Sequence, residues 1–330
     1  RYGGEMINDA AHLALQSEER THYVFMGGAD YQINFNQENS SFIAYMAGQN
    51  TDRKHYTGIF PDQLDEIQVH LVDPPYGYTH NYTLQAGTQL NHRITDFAGG
   101  ENVVTIGAEY IYDDVLDSIP AYHYGTDQVT TNFAGFIQSD WLVFTNTTLL
   151  LGLRADKHNL LDKAILSPRA SLMYKLKDYT QFRLTWGTGF RAPQAFDTDM
   201  HIAFAAGGVS RISLAEDLKE ERSSSVSGSV NYDLPKEKYI LGFTLEGFYS
   251  KLNDAFYLQP IGADNLGERF EKRNGPGALV KGATFELRAN YNKQAQIEAG
   301  VTLQNSMHEE AIEIIDGLDP KREFLRTPSE

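Results

Sequence analysis

Tyr179-Thr180-Gln181-Phe182-Arg183-Leu184-Thr185-Trp186-Gly187-Thr188-Gly189-Phe190-Arg191-Ala192-Pro193-Gln194 is the stretch whose reading decides the fold. Phe182, Leu184 and Trp186 fall on one side of an extended chain and Gln181, Arg183 and Thr185 on the other, the period-2 signature of a strand with one apolar and one polar face. Gly187 and Gly189 weaken regular pairing and Pro193 removes a backbone donor, so the strand is expected to end at Gly187 and a long loop to open there. Gly187, Gly189 and Ala192 also satisfy the G-x-G-x-x-A spacing of a dinucleotide site. A Rossmann strand is buried on both faces and apolar throughout, which Gln181, Arg183 and Thr185 contradict, and no helical period follows.

The same alternation recurs along the chain. Val226, Gly228, Val230 and Tyr232 alternate with Ser225, Ser227, Ser229 and Asn231; Leu241, Phe243 and Leu245 with Gly242, Thr244 and Glu246. Ala283, Phe285, Leu287 and Ala289 alternate with polar neighbours, as do Ile297, Ala299, Val301 and Leu303. Residues 23–35 and 40–53 read as a hairpin, and residues 1–22 carry no clear pattern. Short turns are expected near 96–101, 142–146, 176–178, 234–238 and 291–294. Long connections are expected near 54–77, 114–128, 158–166, 188–219, 260–269 and 309–321. Short and long links in alternation describe an antiparallel meander with tight turns at one end and functional loops at the other. A soluble sandwich shares the period, but stretches such as 223–232 and 281–290 reach the ~9–11 residues that a strand tilted at ~45° needs to cross a bilayer. Residues 223–232 and 238–249 should pair with Leu241, Phe243 and Leu245 towards lipid. Trp141, Tyr174, Tyr179, Tyr232 and Tyr239 lie beside short turns, where an interfacial aromatic girdle belongs.

Composition narrows the partners. The 330 residues contain no cysteine, which removes disulfide scaffolds and thiolate zinc sites. No apolar run approaches the ~20 residues of a membrane-spanning helix, a test that barrel strands escape because alternate residues face a polar lumen. The formal net charge of −16 argues against nucleic acid. The ten histidines are scattered without a zincin spacing, and there is no Gly-x-Ser-x-Gly elbow, so neither an enzyme nor a metal cofactor is expected. Asp113, Asp114 and Asp117, and Asp197 and Asp199, read as solvated loop acids without the spacing of a calcium cage.

Gly187 to Pro193 after an alternating aromatic strand resembles the barrel motif of TonB-dependent outer-membrane receptors, and other stretches follow in the family's order. Gly107-Ala108-Glu109-Tyr110, Gly152-Leu153-Arg154-Ala155-Asp156, Leu166-Ser167-Pro168-Arg169, Leu218 to Ser223 and Asn274 to Glu286 each resemble a family segment, with Glu220 where proline is usual. The resemblance implies an all-β, antiparallel up-and-down transmembrane β-barrel with short periplasmic turns and long extracellular loops. About 12 of the 22 strands of such a wall would be present, residues 1–330 forming a single segment without plug or barrel ends. It further implies residence in the Gram-negative outer membrane and import of a ferric siderophore, cobalamin or a glycan. The TonB complex, outer-membrane lipid and a surface lipoprotein are the implied partners. Candidate ligand contacts from the long loops are Tyr76, Tyr78, Tyr122, His123, Tyr124, Phe204 and Arg211; Phe190, Arg191 and Pro193 are assigned to barrel architecture. The rival readings are a passive porin, an outer-membrane enzyme and a soluble β-sheet binding protein.

Overall fold

The computed structural model describes residues 10–177, 179–194, 202–203, 209–264, 267–312 and 321–323. Its wall is a 13-stranded sheet. The strands in sequence are β1 (Gln16–Phe35), β2 (Ser40–Ile59), β3 (Gly77–Phe97), β4 (Gly100–Ile119), β5 (Tyr124–Phe144), β6 (Thr147–His158), β7 (Ile165–Leu176) and β8 (Thr180–Arg191), then β9 (Ile202–Ala203) and β10 (Val209–Leu214). These are followed by β11 (Glu221–Pro235), β12 (Tyr239–Asn253), β13 (Phe256–Asp264), β14 (Gly267–Asn274), β15 (Ala278–Tyr291), β16 (Ala295–Ile312) and β17 (Lys321–Glu323). Within the wall each strand lies beside its neighbour in sequence, in the order β1 to β8, β11, β12, β15, β16, β17. The strands left out, β9, β10, β13 and β14, form a separate four-stranded sheet.

The alternation read from sequence is the alternation of the wall's two faces. Tyr174, Phe182, Val230, Leu245, Phe285 and Val301 are direct cross-strand partners in one row over six strands. They stay open to the surroundings: Leu245 is 49% and Val301 53% exposed, and no second layer covers them among the described residues. An apolar row this long, uncovered by protein, is a lipid-facing surface. β11 and β12 pair antiparallel from Arg222↔Asn253 to Pro235↔Ile240, with Leu241 and Leu245 on the lipid side as expected. Near the short turns Trp141 donates its indole N–H to the Phe97 carbonyl at 3.1 Å, and Tyr174, Tyr179 and Tyr239 are exposed.

The opposite face is polar and faces the lumen. Where it carries a bulky ring, the partner strand often carries glycine: a Cβ on Gly107 would meet the Phe136 ring at 2.3 Å, and one on Gly282 the Phe248 ring at 2.6 Å. Tight turns join the strands at the other end from the loops. Ala98-Gly99 and Asn292-Lys293 both have positive φ, as the two-residue turns that match strand twist require.

Several boundaries differ from those read in the sequence. β8 does not stop at Gly187 but runs to Arg191, pairing Gly187↔Ser225 and Gly189↔Ser223 with β11, because small residues on both strands let the backbones stay in register. Pro193 is what ends it. The connection expected over 114–128 shrinks to 120–123, since Asp114 to Ile119 pair with Tyr124 to Val129. Residues 54–59 continue β2, and a short helix α1 (Leu64–Val72) occupies the rest of that link. The 188–219 and 260–269 loops contain strands rather than irregular chain. β1 begins at Gln16, inside the stretch that had no pattern. Strands β1 to β5 are 20 or 21 residues long. Crossing takes only ~9–11, so roughly half of each rises past the bilayer towards the long loops.

Candidate functional site

Three side-chain clusters stand on this frame, two at the loop end and one on the lumen wall. The lumen cluster joins two of the sequence motifs. Glu109 accepts hydrogen bonds from Tyr45 Oη at 2.7 Å, Gln85 Nε2 at 2.9 Å and Arg154 Nη2 at 2.9 Å. Arg154 also bonds Asp156, which accepts from Asn132 Nδ2 at 2.8 Å. Glu109 and Asp156 both sit opposite Ala134, a fully buried residue of β5, so Arg154 reaches Glu109 over a side chain too small to block it. Asp113 accepts from Thr83 and Asn81, and Asp117 accepts from Thr79 at 2.5 Å while fully buried. These acids are wall residues, and the reading of them as solvated loop acids is corrected. Their neighbours are hydroxyl and amide donors that stabilise ionised oxygens.

The second cluster lies above β1 to β5. Ile67 and His70, one turn apart, are the partly covered residues of the otherwise exposed helix α1, and His70 carries its polar contacts to the wall. His70 Nε2 lies 2.9 Å from the His12 carbonyl, which can only accept, so this nitrogen holds the proton and donates. Its ring meets Phe60 edge-on at 5.4 Å and Tyr56 at 6.2 Å. His12 Nδ1 is 3.2 Å from the Tyr76 hydroxyl, the Tyr56 and Tyr76 rings are 5.1 Å apart, and Lys54 Nζ sits 4.3 Å over the Tyr76 ring. Burial holds His12 below its ordinary pKa, with His70 and Lys54 adding repulsion. Tyr56, at the loop end of β2 and beyond the bilayer, is pushed up to about 12 by burial and by Tyr122 and Tyr76. Tyr122 packs on Ile119 and Tyr124.

The third cluster ties the loop sheet to the wall through the remaining motifs. Arg191 pairs with Glu221 at 3.0 Å, and the same Glu221 oxygen accepts the Phe256 backbone N–H at 2.9 Å. Phe256 is flanked by Arg191 at 4.9 Å and by Lys272 Nζ at 4.8 Å. Lys272, only 4% exposed, donates to the Gln194 carbonyl at 2.8 Å. Asn274 clamps two loops, donating to the Asp254 carbonyl at 2.8 Å and accepting from Lys219 N at 2.8 Å. β10 runs parallel to β14, Arg211 opposite Arg269. Between this roof and the wall is a cavity of about 630 Å³. Its floor includes Leu252, Ala278 and His308, three partners in one lumen-facing row, and its roof Tyr257, Leu258, Pro260 and Pro276.

Of the residues singled out in the sequence, Tyr76, Tyr122 and Tyr124 belong to the second cluster. Tyr78 is 47% exposed on β3 outside it. His123 is exposed in the left-handed region, φ 48° and ψ 33°, where it closes the short turn Pro120–Tyr122, so its position serves the backbone. Phe204 lies outside the described residues, as does the side chain of Arg211, whose backbone forms β10. Missed altogether were His12, Tyr56, Phe60 and His70, and the Phe256 to Pro260 roof. Leu64, Ile67, His70 and Leu71 have helical spacing, and Asp65 and Glu66 in the first turn suit it. That signal was available. No group of three or more His, Asp or Glu able to hold a metal is present among the described residues.

The wall, with lipid outside, a polar lumen, tight turns at one end and structured loops at the other, defines an outer-membrane β-barrel of the receptor type. Residues 8–319 match the family described as TonB dependent receptor-like, beta-barrel, and the chain belongs to it. It is therefore a Gram-negative outer-membrane protein and not an enzyme. The structure resembles the siderophore receptor PirA of Acinetobacter baumannii at TM-score 0.64 and 16% identity, covering 92% of this chain and 46% of that one. It resembles the hemophore receptor HasR of Serratia marcescens at TM-score 0.68 and 13% identity, covering 89% and 50%. The outer membrane transporter YddB of Escherichia coli gives 0.63 and 11%, covering 89% and 43%. The chain thus spans about half the length of these structures. A search of the curated proteins found no match.

Proposed function

We propose that this chain is wall and loop structure of a receptor that captures a scarce, large nutrient outside the cell and imports it with energy delivered by the TonB complex. A ferric siderophore, cobalamin or a glycan is the class of cargo. The observation that carries the reading is the grouping of aromatic and histidine side chains over the loop end of the wall: Tyr56, Phe60, His70 and Tyr76 over β2 and β3, and Phe256 and Tyr257 over β12 and β15. Aromatic faces backed by rigid strands bind with little loss of side-chain entropy, and lumen-facing polar groups below them give a path for release. Tyr76, Tyr78, Tyr122, His123, Tyr124, Phe204 and Arg211 remain the proposed loop contacts, and a plug, a TonB contact and a surface lipoprotein the proposed partners.

The test is uptake by the full-length receptor in cells with and without TonB, using labelled ferric chelates, cobalamin and oligosaccharides. Saturable uptake of one class that vanishes without TonB is expected; diffusive, TonB-independent entry would instead make the wall a porin. Deleting residues 200–212, which removes β9 and most of β10, is expected to abolish binding while the barrel still migrates as a heat-modifiable species. Binding at unchanged affinity would refute a capture role for this loop.

A further inference from the structure

One column of the lumen face carries cations without partner acids among the described residues. Lys175, Gln181, Asn231 and Thr244 are direct partners across β7, β8, β11 and β12. Each is the chain neighbour of a residue in the lipid-facing row from Tyr174 to Leu245, so all four point into the lumen. Arg183, two residues along β8 from Gln181, and Arg169, six along β7 from Lys175, keep that face, and Lys177 lies in the turn after β7. The three β-strand cations and Lys177 are exposed. Arg183 meets the Met173 sulfur at 3.7 Å and Arg169 donates to the Gln138 side-chain oxygen, both neutral partners, and none of the four cations forms an ion pair among the described residues. Elsewhere on the same face Arg154, Arg191 and Arg288 have carboxylates at 2.9, 3.0 and 3.1 Å. In a chain of formal net charge −16, an unanswered basic column is the exception.

The column begins at the periplasmic turns, in an open pocket of about 640 Å³ lined by Asn146, Lys175, Lys177, Gln181, Asn231 and Asp233. Asp233 accepts from Arg288 at 3.1 Å, and the side-chain oxygen of Asn231 is buried with no hydrogen-bond donor. From Lys175 to Arg169 the cations extend over six residues of strand, ~20 Å at ~3.4 Å per residue. A small anion meets only one end of such a column. An extended polypeptide along the strands can set carboxylates against Lys175, Arg183 and Arg169 in turn and offer backbone N–H groups to acceptors such as Asn231. We propose that this column seats an acidic polypeptide segment that enters the lumen from the periplasmic side. The segment belongs either to the receptor outside residues 1–330 or to a separate periplasmic protein, and the chemistry that recognises it is the same. This rests on the reading of the polar face as a receptor lumen.

The experiment treats the purified full-length receptor with a carbodiimide, which joins a lysine amine to a carboxylate in contact with it. A link from Lys175 or Lys177 to an acid outside residues 1–330 is expected where the segment is the receptor's own. Lys175→Glu combined with Arg183→Glu is then expected to speed hydrogen exchange in the linked segment about tenfold or more. Where no such link forms, the column is open to a separate partner, and fluorescent octaglutamate is expected to bind while octaglutamine does not. That affinity should fall about tenfold between about 0.05 M and about 0.5 M salt, and about tenfold in Lys175→Gln combined with Arg183→Gln. The substituted side chains are exposed, and heat-modifiable migration checks that each variant has assembled. Octaglutamate binding that is absent or indifferent to the variant, with no link beyond the neighbouring Asp178 and Asp233, overturns the proposal. So does a linked segment whose exchange is unchanged by the charge reversal. TonB-dependent uptake is scored separately, and its presence beside either negative result leaves the receptor reading intact.

Discussion

Gly107 shows how one residue can carry a wall that has no conventional core. It faces the lumen between β3 and β5, and a Cβ there would meet the Phe136 ring at 2.3 Å and the Thr88 carbonyl oxygen at 2.6 Å. The ring can swing aside; the carbonyl belongs to a paired strand and cannot. Gly107→Val is therefore expected to cost about 1–3 kcal/mol and to lower the temperature at which folded migration is lost. Gly135→Ala, with nothing within 4 Å of the new methyl, is the matched control and is expected to leave that temperature unchanged. His12 carries a prediction in pH. Its folded pKa lies below the ordinary 6.5, so the fold favours the neutral ring. The stability this gives is fully present above about 6.5 and is lost as pH falls through the lowered folded value. Protonation also sets His12⁺ against Lys54 and beside His70. Protection of the 64–72 amides, taken relative to their intrinsic exchange rate at each pH, should fall between about pH 7 and pH 5, and His12→Gln should flatten that dependence. A loss of protection unchanged in the variant would remove His12 from the account.

Among the elements, the strand pairs were the most legible part of the sequence and the loops the least, for a physical reason. Leu241, Phe243 and Leu245 announce a lipid-facing strand because water and hydrocarbon sort alternate residues, and that sorting acts wherever the wall crosses the membrane. Above the bilayer both faces are wet. Asp113, Asp114 and Asp117 therefore look like a loop although β4 continues through them, and Pro260 to Asp264 look like one although β13 runs through them and pairs with β14. Gly187 and Gly189 misled in the other direction, since glycine in a barrel wall marks room for a neighbour's side chain more than the end of a strand. Of the candidate contacts, tyrosines near Tyr76 could be found from aromatic density, while His12 and His70 are 58 residues apart and meet only through the fold. The pairing register makes its own prediction. Leu245→Arg places a charge in the row from Tyr174 to Val301 and is expected to cost about 2–4 kcal/mol at the bilayer's middle depth, read as loss of assembled receptor in outer-membrane fractions. Thr244→Arg, next along β12 but on the lumen face, should assemble nearly as the parent does. Equal losses in both would mean that the two faces do not differ in environment.

At the scale of the whole molecule, curvature and closure decide whether the wall can stand in a membrane. Among the described residues the wall is an open sheet: β1 pairs only with β2, and the far side finishes at β17, three residues long. A 20-residue edge strand offers a full row of unpaired backbone groups, which cost several kcal/mol each in hydrocarbon, so a wall of this kind is not stable in a membrane with that edge bare. Two outcomes would relieve it in residues 1–330 alone. The sheet could bend until β1 met β16, making a small barrel, or it could stay open and pair with other copies. The structural likeness decides between them. The wall superposes on part of much larger receptors, the match covering 46% of one chain and 50% of another, so its strand tilt and bend suit the circumference of about 22 strands that such transporters have. Closing on itself would require nearly doubling the bend at every pair, against a polar face crowded by Tyr45, Phe136, Arg169 and Phe248. Residues 1–330 refolded by themselves are therefore expected to give edge-paired oligomers or aggregate, without a heat-modifiable monomer, whereas refolding together with the rest of the receptor should give one. A monodisperse, heat-modifiable monomer from residues 1–330 alone would show that the wall closes at about half the circumference its curvature implies.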